Sequence, residues 1–173
     1  SGYTGQGVKT IAIGANCGYT GQQFSAIAIG DSAGGNIQGT GSVAIGVQAG
    51  SSSQGVQSIA LGFQTGLISQ GLQSIAIGYQ CAYTGTGQAT QGIAIGTQSA
   101  YSAQFPYGIA IGYQSGYTSQ GSGAIAIGVN SGSTGQGVNS IAIGYQSGSA
   151  NQQSGAISLG FQCGYSIQGS GSI

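Results

Sequence analysis

The sequence contains no histidine, arginine, glutamate, methionine or tryptophan, and only one proline. Full charge resides on two side chains, Lys9 and Asp31. These absences exclude most chemistry. General acid–base catalysis needs groups that titrate near working pH, and beyond one aspartate, three cysteines and the tyrosines there are none. A glycosidase-type site needs paired carboxylates, and Asp31 stands alone. One lysine cannot neutralise a run of phosphates, so no nucleic-acid partner is expected. No apolar run approaches the roughly 18 residues of a membrane span, so no membrane insertion is expected. No Cys/His cluster has metal-ligand spacing, and an Asp in every turn, as calcium-binding nonapeptide repeats require, is missing. The sequence therefore predicts a non-enzymatic protein with no cofactor and no metal.

What is present is glycine, 38 of 173 residues, with abundant serine and glutamine. In an aperiodic chain that composition argues for disorder, because too little apolar area offsets chain entropy. Periodicity reverses the conclusion. From Ile11 the chain reads IAIGANCGYTGQQFSA, IAIGDSAGGNIQGTGS, VAIGVQAGSSSQGVQS, and so on through ten sixteen-residue units over 11–172. The unit at 75–92 carries two extra residues, within TGTGQ. Residues 1–10 form a part unit and Ile173 opens another, so 1–173 reads as a single repeat array.

Sixteen residues are too few for a helix pair, and recurrent glycine costs a helix about 1 kcal/mol per residue. The IAI triplet reads as a short strand and the Gly, Ser and Asn clusters as turns. Two short strands and two turns fill one rung. The expected fold is therefore all-β, a parallel β-solenoid (β-roll) of about eleven sixteen-residue rungs, stacked at ~4.8 Å into a rod on the order of 50 Å long.

Each position in the unit then acquires an expected role. The first and third positions share a strand face and are predicted to form the aliphatic core: Ile11, Ile13, Ile75, Ile77, Ile109, Ile111, Ile141 and Ile143 among them. The second position, alanine in nine units and Ser158 in the tenth, is then predicted to face outward as a flat strip suited to lateral packing. Corner glycines are expected at the fourth position: Gly14, Gly30, Gly46, Gly62, Gly78, Gly96, Gly112, Gly128, Gly144 and Gly160. The twelfth position is always glutamine: Gln22, Gln38, Gln54, Gln70, Gln88, Gln104, Gln120, Gln136, Gln152 and Gln168. These amides either bond one another along the axis as a ladder or satisfy turn carbonyls; both readings stand. A looser amide column runs through Asn16, Gln48, Gln64, Gln80, Gln98, Gln114, Asn130, Gln146 and Gln162.

Cys17, Cys81 and Cys163 share the seventh position, four and five rungs apart. At ~4.8 Å per rung they lie roughly 19 and 24 Å from one another, beyond disulfide reach. Two readings remain: small residues packed at a tight spot, or interchain bridges. Aromatics recur at the fifth position (Phe63, Tyr79, Tyr113, Tyr145, Phe161) and the ninth (Tyr19, Tyr83, Tyr101, Tyr117, Tyr165). They stabilise stacked rungs or form a surface for sugars. Both ends stop in mid-unit and read as pairing edges, so a slice of a longer array or head-to-tail stacking is expected.

With the repeat laid out, SIAIG, SVAIG and IAIGYQSG are similar to the β-roll repeats in head domains of trimeric autotransporter adhesins. They also resemble IGYQ-type repeats in tail fibres of phages and large viruses. The resemblance implies an extracellular, cell-surface or virion-surface fibre, adhesive or structural, with trimerisation as one arrangement. Its partners would be further copies of the chain, head to tail or side by side, and surface glycans. The alternative function is ice binding, which flat solenoids achieve with regular hydroxyl arrays. Against it, the tenth position offers Thr20, Thr84, Thr118 and Thr134 but also Asn36, Ile68 and Ala150.

Overall fold

A computed structural model of the chain describes residues 2, 4–84 and 88–173. Among these there are sixteen three-residue strands and no helix, so no helix is long and apolar enough to cross a membrane. Each rung supplies an IAI strand and, half a turn later, a strand or isolated bridge ending in glutamine. The first two rungs show the pattern in β1 (Ile11–Ile13), β2 (Thr20–Gln22), β3 (Ile27–Ile29) and β4 (Asn36–Gln38).

Ten IAI strands form one parallel sheet in rung order. Register is one rung throughout: Ile11 lies beside Ile27, Ala12 beside Ala28 and Ile13 beside Ile29. The longer unit does not break this sheet, since Ile75 pairs with Ile93. Its expected bulge falls at Gly85, Thr86 and Gly87, outside the described residues. The opposite sheet is less regular. It comprises a four-stranded stretch from Thr20–Gln22 to Ile68–Gln70, a two-stranded stretch over Thr118–Gln120 and Thr134–Gln136, and isolated bridges such as Gln88 to Gln104. Turns are laddered as well as strands: Gly30 N–H donates to Ile13 O at 2.8 Å, and Gly18 N–H to Ala33 O at 2.9 Å. A parallel solenoid thus sends the backbone groups of each rung to its neighbours, which is how so glycine-rich a chain keeps its buried amides paired.

The core expectation is overturned in its phase. Alanine at the second position faces inward: Ala28, Ala44, Ala60, Ala76, Ala94, Ala110, Ala126 and Ala142 are fully buried. The isoleucines face out. Ile11, Ile13 and Ile143 are exposed, and Ile75, Ile77, Ile109, Ile111 and Ile141 are half-buried. The expected outer alanine strip is therefore the lining of the lumen. Volume explains the inversion. Each rung also points its glutamine and the small residues at its seventh and sixteenth positions inward, for example Ser115, Gln120 and Ala124. A sixteen-residue loop so furnished has no room for two isoleucines as well. Period-2 alternation says that neighbours face opposite ways; it does not say which way is in.

Candidate functional site

No group of three or more His, Cys, Asp or Glu side chains lies together among the described residues. Lys9 sits over the ring of Phe24, 5.5 Å from its centroid, and Asp31 accepts a hydrogen bond from Ser32 Oγ at 3.1 Å. The chemistry of the molecule lies in its columns, some inside the lumen and others outside.

Inside, each of the ten predicted glutamines spans the lumen of its own rung. Its amide nitrogen donates to the carbonyl of the first residue in that rung: Gln22 to Ile11 O at 2.8 Å, Gln38 to Ile27 at 2.6 Å, Gln120 to Ile109 at 2.6 Å. Many also reach the sixteenth carbonyl, as Gln104 does to Gly108 O at 2.8 Å. Axial amide-to-amide bonds occur in some rungs, such as Gln104 to Gln120 at 3.0 Å and Gln152 to Gln168 at 3.1 Å. The amide is thus first a strut within the rung and second a link between rungs. Oε1 of Gln38, Gln54, Gln70, Gln104 and Gln136 has no hydrogen-bond partner. For Gln38 this oxygen lies against the eighth-position glycine, 2.6 Å from where a Cβ on Gly34 would stand, so only a glycine there leaves it room.

The fourth-position glycines begin the turn after each IAI strand. Gly14 has φ of +132°, and a Cβ there would stand 2.6 Å from Gly30 O in the next rung. Both conformation and space demand glycine, because other residues essentially never adopt that φ and the obstacle is backbone.

Seventh-position side chains fill the lumen beside the alanines and donate to the next rung. Ser99 Oγ bonds Ala110 O at 2.7 Å, Ser115 Oγ bonds Ala126 O at 2.7 Å, and Cys17 and Cys81 reach Ala28 O and Ala94 O at 3.0 and 2.9 Å. Cys17 and Cys81 are fully buried and hence closed to interchain bridging; Cys163, in the last rung, is exposed. Burial pushes both buried thiols up, Cys81 to about 12, with backbone hydrogen bonding partly opposing it. We expect the folded protein to react with a thiol reagent at Cys163 alone, and at all three cysteines after denaturation, read by counting labelled thiols by mass. Because the folded pKa of Cys81 is raised, its contribution to stability holds below the ordinary value of 9.0 and is lost as pH climbs from there toward 12.

Outside, the sixth-position amides bond along the axis: Gln64 to Gln48 at 2.7 Å, Gln80 to Gln64 at 3.0 Å, Gln114 to Gln98 at 2.9 Å. A third amide column, Gln57, Gln73 and Gln91, bonds in the same way at 3.2 and 3.1 Å. Sequence reasoning missed it, because the fifteenth position is glutamine in only three successive rungs. The aromatics stack: Phe63 on Tyr79 at 5.3 Å, Tyr83 on Tyr101 at 5.2 Å, Tyr101 on Tyr117 at 5.0 Å and Tyr145 on Phe161 at 5.2 Å. Packing in that stack pushes the Tyr101 hydroxyl up from its ordinary value, and Tyr117 and Tyr83 add to it.

Beside the aromatic fifth position runs a continuous apolar surface, the two outward isoleucine columns. They are flanked by Val47, Phe63 and Tyr79 on one side and by Phe24, Val56 and Leu72 on the other, all exposed. A family model for the YadA head domain repeat matches residues 38–65, 119–147 and 136–161. The resemblance to adhesin head repeats thus holds in both halves of the array. Searches of curated proteins and of solved structures give no match.

Proposed function

We propose that this array of YadA-head-type repeats is a surface-displayed structural segment of an adhesive fibre, whose copies associate side by side through the isoleucine face. The observation that carries the reading is that face: apolar along the whole ten-stranded sheet, with the chain's two charges confined to its flanks, Asp31 on one side and Lys9, over the Phe24 ring, on the other. Single exposed apolar residues need no explanation, whereas a contiguous strip of this size marks an interaction surface. Ten rungs at ~4.8 Å and a width of roughly 15 Å give about 700 Å² per partner, close to the ~800 Å² of a standard interface. With one charge of each sign per chain, little electrostatic repulsion opposes assembly. An extracellular setting and the absence of catalysis fit the same reading. The ice-binding alternative gains no support, because the tenth-position column mixes Thr20, Asn36, Ser52 and Ile68.

Sedimentation velocity tests the association. The wild-type chain is expected to sediment as an oligomer of the 16.7 kDa unit. Placing lysines at Ile29, Ile77 and Ile127 should raise the apparent dissociation constant at least about a hundredfold while the circular dichroism spectrum stays that of β-structure. These positions are spaced roughly 14 Å or more apart, beyond a Debye length, so mutual repulsion within one chain is small. A wild-type monomer at tens of micromolar, or an unchanged triple variant, would remove lateral association from the proposal.

A further inference from the structure

The ninth-position aromatic column has a gap. Tyr83, Tyr101 and Tyr117 stack ring on ring, but the two rungs after Tyr19 carry Gly35 and Ser51. The space left by the missing rings is a trough of about 240 Å³ lined by Asn16, Tyr19, Ser32, Gly35, Asn36 and Ser51. We propose that this trough binds one neutral sugar ring, which takes the place of the absent tyrosine in the stack.

Three features select that ligand class. First, the stacked rings elsewhere in the column lie nearly parallel, so ring faces there point along the axis, and Tyr19, 41% exposed, lines the side of the trough next to the gap. An aromatic face presents the negative side of its quadrupole, which suits the polarised C–H groups on one side of a pyranose. Second, the flanks are amides and hydroxyls. Asn36 accepts from Thr20 Oγ1 at 3.0 Å through its carbonyl oxygen, which leaves its amide nitrogen as a donor; Asn16, Ser32 and Ser51 complete the rim. Adjacent sugar hydroxyls use such groups, whereas a plain aromatic ligand would leave them unpaired. Third, Asp31 is hydrogen-bonded to Ser32 beside the trough and no cation lines it, which disfavours an anionic sugar. The volume suits one ring and falls below the ~300–1,000 Å³ of drug-sized pockets.

The inference deepens the adhesive part of the proposed function and is separate from the associative part, because the trough borders the Thr20–Gln22 sheet and not the isoleucine face. A titration can therefore fail while sedimentation succeeds, and the reverse. The probes are the methyl glycosides of glucose, galactose, mannose and N-acetylglucosamine and their β-linked trisaccharides, followed by NMR on the Tyr19 ring resonances and by saturation transfer. At least one probe should shift Tyr19 with millimolar affinity. Gly35→Tyr, which supplies the missing ring, should weaken binding at least about tenfold without loss of fold. A Cβ there would stand 3.2 Å from Ser51 O, and tyrosine already occupies the same position in the preceding rung, as Tyr19. Ser51→Tyr fills the gap from its other side and serves as the second variant should Gly35→Tyr misfold. The proposal is overturned if no probe perturbs Tyr19, or if a folded filled-gap variant binds as well as the wild type.

Discussion

Gln120→Glu is expected to destabilise the solenoid by about 3–5 kcal/mol at pH 7, measured as the shift of the urea midpoint followed by far-ultraviolet circular dichroism. Gln120 is fully buried, donates to Ile109 O at 2.6 Å and Ala124 O at 3.1 Å, and accepts from Gln104. A carboxylate of the same shape loses both donor hydrogens and turns a negative charge toward two carbonyl oxygens in a lumen that offers no cation. The sign of the pH dependence follows. Burial and the carbonyls raise the folded-state pKa of the new carboxyl above its unfolded value of about 4.3, so the variant recovers stability on acidification and loses it as pH rises through that window. Because each rung contacts only its neighbours, one damaged rung can also uncouple the two halves of the rod, which would appear as a broadened or two-step transition. Gln80→Glu, in the outer amide column, is the control: there water solvates the charge, and the loss should stay below about 1 kcal/mol. Equal losses at the two sites would refute the strut assignment.

Ala110→Leu should cost about 3 kcal/mol, whereas Ile111→Leu beside it should stay within about 1 kcal/mol. The Ala110 methyl sits 3.2 Å from the place where a Cβ on Gly116 would stand, and its own carbonyl accepts from Ser99 Oγ. Three more carbons at that point press on Gly116 and Gln120, neither of which can move without breaking rung-to-rung hydrogen bonds. Ile111 points outward, where a change of branching meets no wall of its own rung. The conventional expectation, in which isoleucine forms the core and alanine the surface, ranks the two substitutions the other way. Thermal unfolding of the two variants side by side therefore decides which face is inside.

The amide struts and the isoleucine face illustrate what each level of description contributed. The sixteen-residue period, two strands and two turns per rung, parallel one-rung register, the turn glycines and the constancy of the twelfth-position amide were all legible from residue order. Repetition, turn propensity and the left-handed demand on glycine are local properties that reside in the chain. The destination of the Gln120 amide, strut or ladder, was left open there and needed the positions of Ile109 O and Gln104. So did the trough beside Tyr19, which exists because Gly35 and Ser51 lie over it one and two rungs along. By itself, then, the sequence determined that this is a stacked β-solenoid and where its columns run. Only the tertiary structure decided which columns are interior, because that depends on whether the closed loop of each rung has volume for isoleucine or only for alanine, serine and one extended amide, a property of the ring and of no residue in it.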